Sequence, residues 1–189
     1  VLAAGGTALL TGCANKDELI KAEGQVVKRK FKDIEVPLLG MGCMRLPMKK
    51  NDEVDMSELD RMVEYCMAHG VNYFDTAYMY VNEQSEIAMG KVLKHYKRED
   101  FILVDKSSIY KMQTASDVRR IFEEQQHKCQ VDYFDFYMCH NINKNTFDTY
   151  KNVDMYNELL KLKEEGKIKY LGFSFHGTPD ILRQVVKEH

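Results

Sequence analysis

The chain has 189 residues, a formal net charge of −2 and 44% hydrophobic residues. That is enough chain for one domain with a real core, and the balance excludes an intrinsically disordered protein. No basic stripe runs along the sequence, which sets nucleic acid aside as a partner.

Val1 to Gly12 is apolar and built of small residues. It is too short to cross a bilayer as a helix, but it suits the apolar region of a secretory signal. Leu10-Thr11-Gly12-Cys13 looks like a bacterial lipoprotein box, whose cysteine becomes the lipidated N-terminus. On that reading residues 1–13 are the remnant of a signal peptide and residues 14–24 a polar tether. The chain is then exported and held at the cell envelope by a lipid anchor at Cys13; otherwise it is cytoplasmic. A buried N-terminal helix is the competing reading, weakened by the adjacent Gly5 and Gly6. The five cysteines are scattered, with no C-x-x-C pair. This argues against a disulfide framework and against a zinc or cluster site within the chain.

From residue 25 onward the pattern is regular. Gln25–Phe31 and Ile34–Leu39 read as a hairpin around Lys32-Asp33. The second strand runs into Gly40-Met41-Gly42-Cys43-Met44, where glycines allow a backbone to approach a ligand or a neighbour closely. Leu59, Met62, Val63, Cys66 and Met67 then recur at helical spacing, with a capping-box pattern at Asp55 and Glu58 and a stop at Gly70. A strand at Val71–Phe74 ends in Asp75, and Ser85 is placed to cap the helix that follows. Phe101–Val104 is a continuous apolar run, the mark of a strand buried on both faces, and it ends in Asp105-Lys106. Ser116 is placed to cap a helix through Phe122. Tyr133–Cys139 is a strand ending at His140, and a helix from Met155 closes at Gly166. Ile168–Phe173 ends at Ser174, and Thr178-Pro179 opens a last helix.

Strand and helix thus alternate five times, which implies a parallel sheet covered by helices. The strand ends at Gly42, Asp75, Lys106, His140 and Ser174 recur every 31–34 residues, one right-handed βα unit each. A doubly wound dinucleotide-binding sheet would carry a third glycine after Gly40-Met41-Gly42. A barrel, by contrast, gathers all of its strand ends on one active-site rim. The fold class is therefore α/β, a (β/α)8 TIM barrel with an N-terminal hairpin, incomplete at about five of eight units. Three further units would lie downstream, and a lone chain with open sheet edges should be inactive and prone to aggregate.

Singly, Asp75, Tyr80, Lys106 and His140 could be a strand terminus, a surface phenol, a surface lysine and a core histidine. On one rim they form a chemical set. A tyrosine is a poor acid or base at neutral pH, a neighbouring ammonium favours its phenolate, a carboxylate holds that ammonium charged and aimed, and a histidine can fix a substrate oxygen.

Phe74-Asp75-Thr76-Ala77-Tyr78-Met79-Tyr80 resembles the F-D-T-A-x-x-Y signature of the aldo-keto reductases, and Asn82-Glu83-Gln84-Ser85-Glu86 with Gly90 resembles the helix opening that follows it. The strand ending in Lys106, the strand Asp135–His140 and Gly172-Phe173-Ser174 match that family's lysine, histidine and G-x-S strands in order and spacing. The resemblance covers about residues 26–189. It implies hydride transfer between nicotinamide, NADP(H) or NAD(H), and a small carbonyl or alcohol substrate. It makes Tyr80 the general acid/base, Asp75 and Lys106 its partners and His140 the orienting group. Cofactor contacts are implied at Gly42, Met44, Asp75 and Ser174, and no metal is implied in the barrel. Many members have Ser-Asn where this chain has Ser174-Phe175-His176. That variant resembles a subgroup with a C-terminal ferredoxin-like domain carrying 4Fe-4S clusters, and hence a redox partner, beyond His189. A cofactor-binding sensor or regulatory barrel without turnover is the alternative. A barrel lyase or isomerase, which would need no nicotinamide, is a third.

Overall fold

The computed structural model describes residues 24–188. The expected leader with Cys13, and all but the last residue of the tether, lie outside the described residues. The order of elements is a hairpin, β1 (Lys28–Phe31) and β2 (Ile34–Pro37), then β3 (Met41–Gly42), α1 (Met56–Ala68), β4 (Tyr73–Asp75), α2 (Ser85–Leu93), β5 (Ile102–Ser107), α3 (Ala115–Cys129), β6 (Phe134–Ile142), α4 (Phe147–Asn152), α5 (Met155–Glu164), β7 (Ile168–Phe175) and α6 (Pro179–Glu188).

The five strands β3 to β7 form one sheet in sequence order, every pair parallel. A doubly wound sheet reverses its order at a switch point, whereas a strand order that never reverses is the progression of a barrel wall. The hairpin stays apart as an antiparallel pair. Among the described residues no helix is long and apolar enough to cross a membrane.

Side-chain alternation divides the sheet into two faces. Outward-pointing Phe74, Leu103 and Tyr137 pack with Leu59, Val63, Val118, Phe122 and Leu159 from the helices, all completely buried. On the inner face Phe136 stacks 5.9 Å from Tyr73 and 4.9 Å from Tyr170, and Phe31 of the hairpin lies over it at 5.6 Å. The hairpin therefore closes the amino-terminal end of the curved sheet with an aromatic floor.

Several boundaries differ from those read in the sequence. The hairpin strands are shorter at both outer ends, because Leu38 turns away after its N–H meets Val27 O at 2.9 Å. Ser85 is not a cap: it is the first helical residue, and its hydroxyl donates to Cys43 O at 2.9 Å. Ser116 does not cap α3 either. Thr114 holds that position, and the Asp117 carboxylate accepts the N–H groups of Gln113 and Thr114 at 3.0 Å each. Those bonds, Gln113 first, hold the Asp117 carboxyl well below the usual carboxylate range. Asp55 caps α1 as expected, accepting the Glu58 N–H at 3.3 Å, and Gly70 ends it at φ +80. The short helix α4 has no counterpart in the sequence reading.

Gly90 is fixed by packing rather than by conformation. A Cβ there would stand 2.4 Å from Lys128 O and 2.8 Å from the Cys129 carbonyl carbon, so α2 and α3 cross with backbone against backbone. Gly90→Ala is expected to destabilise the fold by about 2 kcal/mol or more. Urea denaturation checks this, and an unchanged midpoint would show that the two helices part freely.

Candidate active site

Strand register brings the polar strand-end residues to one face. Gly42 pairs with Asp75, Asp75 with Val104, Lys106 with Met138 and Met138 with Gly172. Two residues apart on one strand means the same face, so Asp75, Lys106, His140 and Ser174 stand above Tyr73, Phe136 and Tyr170 on the inner side.

Lys106 is the hub. Its ammonium forms an ion pair with Asp75, donates to Thr76 O at 2.7 Å and donates to the Tyr80 hydroxyl oxygen at 3.2 Å. An ammonium has three N–H groups, and all three are used. The Lys106 side chain is only 6% exposed, against 30% for Asp75, so the pair is sheltered from screening. Because the Tyr80 oxygen accepts from Lys106, its own O–H proton is free for another acceptor. The ammonium also lies 4.6 Å from the centre of the Tyr80 ring.

Tyr80 is delivered by an unusual turn. Val81, Asn82 and Glu83 all have positive φ, at 54°, 51° and 66°. Each such residue costs about 1–2 kcal/mol, and strain of this kind persists only where surroundings over-determine it. Here Gln84 accepts the Val54 N–H at 3.2 Å and donates to Asp52 O at 3.0 Å, while Glu83 pairs with Lys111 at 3.0 Å. The turn is tied on both sides.

The histidine strand runs two residues further than expected, to Ile142. Its register against β7 slips between Cys139 and Ile142, so His140 and Asn141 together oppose Ser174. This bulge, with Asn141 at φ 58°, turns the His140 ring edge-on to Tyr80, with centroids 5.8 Å apart at 84°. Burial first, then the Lys106 charge and the neighbouring His176, push the imidazole down to about 4. His140 is therefore neutral at physiological pH. The β5 strand also runs past Lys106, to Ser107.

Ser174 accepts the Asn141 N–H at 2.7 Å, which leaves its O–H free to donate. A Cβ at Gly42 or Gly172 would meet no atom within 4 Å, so the inner face stays low beside Asp75 and Ser174. Ser108, just beyond β5, holds a buried hydroxyl with no hydrogen-bond partner. An open shelf with unspent hydroxyl donors fits a flat carboxamide-bearing ring such as nicotinamide. Met44 lies in the loop after β3, 58% exposed. Among the described residues no cluster of His, Cys, Asp and Glu could hold a metal ion. The sequence reading did not single out Thr76 as an acceptor for Lys106, nor Asn141 as the partner of Ser174. Both act through the main chain, which side-chain identity does not report.

Asp75, Lys106 and His140 at the carboxyl ends of consecutive parallel strands, with Tyr80 on the loop after the first, gather on the rim of a barrel-type α/β fold. The chain belongs to the aldo/keto reductase family, whose model matches residues 38–189. A Glycine max protein named Probable aldo-keto reductase 1 is 32% identical over 180 residues, covering 90% of this chain and 50% of that protein. The L-galactose dehydrogenase of Arabidopsis thaliana is 34% identical over 164 residues, covering 81% of this chain and 49% of that protein. An aldo-keto reductase from Bacillus halodurans, solved in its holo form, superposes with a TM-score of 0.72 at 26% identity, covering 86% of this chain and 54% of that one. An aldo-keto reductase from Klebsiella pneumoniae in complex with NADPH shares the fold, with a TM-score of 0.68 at 22% identity over 88% of this chain and 54% of that one. The chain spans about half the length of the curated relatives it matches.

The lowered imidazole has a direct readout. Its folded value of about 4 lies below the ordinary 6.5, so its contribution to folding is intact above pH 6.5 and is lost as pH falls towards 4. Histidine-selective NMR titration should show the His140 ring neutral at pH 6; a protonated ring there would contradict the burial argument.

Proposed function

We propose that the protein containing this chain is a nicotinamide-dependent oxidoreductase interconverting a small carbonyl compound and its alcohol, with Tyr80 as the general acid/base. The observation that carries the reading is the Lys106 ammonium with all three N–H groups committed to Asp75, Thr76 and Tyr80. Bound NADP(H) or NAD(H) supplies or takes the hydride. Everything else falls to the chain. Ser174 and Ser108 offer hydroxyl donors to the carboxamide, and the low face at Gly42 and Gly172 admits the ring. Neutral His140 fixes the substrate oxygen through a hydrogen bond. In the reducing direction Tyr80 gives its proton to that oxygen as negative charge develops there. The negative charge left on the phenol oxygen then faces the Lys106 ammonium, itself balanced by Asp75. In the oxidising direction Tyr80 takes the proton back.

The described sheet supplies five of a barrel's eight strands, so turnover is assigned to the full-length protein. The iron–sulfur tail beyond His189, with its redox partner, and the lipid anchor at Cys13 are part of the same proposal. The G-x-S-F-H run at 172–176 supports the tail, and the lipobox-like run at 10–13 supports the anchor.

In full-length protein with an aldehyde and NADPH, Tyr80→Phe is expected to cut kcat by about 10²–10⁴-fold with cofactor affinity retained. Lys106→Met should fall in the same range. The 189-residue chain alone should show no turnover. Unchanged kcat in Tyr80→Phe, or a lone chain that is folded and active, would overturn the respective reading. For the leader, mass spectrometry of protein expressed with its own upstream sequence should find a diacylglyceryl group on Cys13; an unmodified, unprocessed N-terminus sinks the anchor.

A further inference from the structure

Beneath the active-site lysine lies a buried polar cluster that the proton chemistry does not use. The β4–β5 register ends at Asp75 and Val104, closed by the Thr76 N–H on Val104 O at 2.9 Å. Two residues further on, side chains grip the main chain of Lys106. Its N–H is accepted by Asp105 Oδ1 at 2.8 Å, and its C=O accepts from Gln125 Nε2 at 3.1 Å. Gln125 also donates to Glu86 Oε1 at 2.6 Å and accepts from the Tyr137 hydroxyl. Gln125, Glu86, Asp105 and Tyr137 are all completely buried.

The direction of each bond that Gln125 makes is forced. The Lys106 carbonyl can only accept, so the amide nitrogen of Gln125 must face it. The amide oxygen then faces Tyr137, whose O–H must donate. The second amide N–H is left for Glu86, whose Oε1 must accept. Burial pushes the Glu86 and Asp105 carboxyls up, Asp105 far above the ordinary range. Lys128 Nζ stands 3.4 Å from Glu86 Oε2 and balances its charge. The Gln125 amide cannot rotate without leaving a buried polar group unpaired, which holds it in place against the Lys106 carbonyl.

We propose that Gln125, backed by Tyr137 and the Glu86–Asp105 carboxyl pair, is a positioning residue that fixes the main chain of Lys106 and so aims its ammonium at Tyr80. The proposal rests on the reading of Lys106 and Tyr80 as the proton machinery. It assigns α3, on the far side of the sheet from the substrate, a part in catalysis. Gln125 touches neither substrate nor cofactor, so its loss acts on the proton step alone.

The test uses full-length protein and four variants, with kcat, KM for both substrates and the urea midpoint measured on each. Gln125→Leu should lose about tenfold in kcat with both KM values unchanged. Tyr137→Phe removes only the hydroxyl that orients the amide, and should lose a few-fold in kcat with the same flat KM. Ile121→Val, one turn earlier on α3 and in the core, should lower the urea midpoint and leave kcat where it was. If Gln125→Leu does not fold, Tyr137→Phe decides. A kcat within twofold of wild type in the positioning variants, or an equal kcat loss in Ile121→Val, overturns the proposal. Tyr80→Phe separates the two layers: if it retains wild-type kcat, the reading of the site has failed, whereas abolished turnover there with wild-type kcat in Gln125→Leu and Tyr137→Phe fails this inference alone.

Discussion

A sheltered ammonium with three N–H groups and three acceptors is the constraint around which the described part of this molecule is arranged. A buried cation is tolerated only when paired and fully hydrogen-bonded, and removing one partner leaves a charge that the interior cannot solvate. The acceptors of Lys106 come from the last residue of β4, the next main-chain carbonyl and a side chain four residues beyond that. One charged group thus pins β5 to β4 and to the loop between β4 and α2. The strained turn after Tyr80 is held by the same logic. Its left-handed residues persist because Gln84 and Glu83 are tied to neighbouring segments on either side.

The period of two along each strand does the rest. Tyr73 and Asp75, Phe136 and His140, and Tyr170 and Ser174 share the inner face, each aromatic lying towards the floor and each polar residue towards the rim. The aromatic layer needs a lid against water, and Phe31 provides it from the hairpin, 5.3 Å from Tyr170. Lys32 sits over the same tyrosine ring, and Asp33 accepts its hydroxyl proton. The hairpin outside the main sheet therefore packs against the aromatic floor beneath the site.

Much of this was legible in the sequence, because it rests on residue type and spacing. Apolar runs at strand period, helical runs between them and a polar residue at each strand end determine the order of elements and the composition of the rim. The parts that escaped depend on the backbone. Nothing in His140-Asn141 announces a bulge, since a register slip is settled by two strands at once. The three left-handed residues after Tyr80 include a valine, which on its own disfavours that conformation. Ser85 and Ser116 suit the role of caps by residue type, yet a tertiary contact gives the Ser85 hydroxyl to Cys43, and the local capping box of Thr114 and Asp117 takes the cap of α3. Gln125 was invisible for a different reason. A glutamine on a helix reads as surface, and only the end of the β4–β5 ladder creates the carbonyl it serves.

In the proposed reaction the choice of Tyr80 over His140 as proton donor rests on the competition between two groups at the rim. Imidazole is ordinarily the better acid near neutrality, and His140 lies against Tyr80 at the same mouth. Burial and the nearby Lys106 charge lower it to about 4, so at neutral pH it has no proton to spare beyond its single N–H. That N–H is suited to orienting an oxygen by a hydrogen bond. Tyr80 differs in just this respect. The oxygen that would carry its negative charge already accepts from the Lys106 ammonium, and its proton has no other claim on it. Burial, with the Lys106 cation behind it, thus silences the histidine as an acid, and the same cation provides for the tyrosine as one.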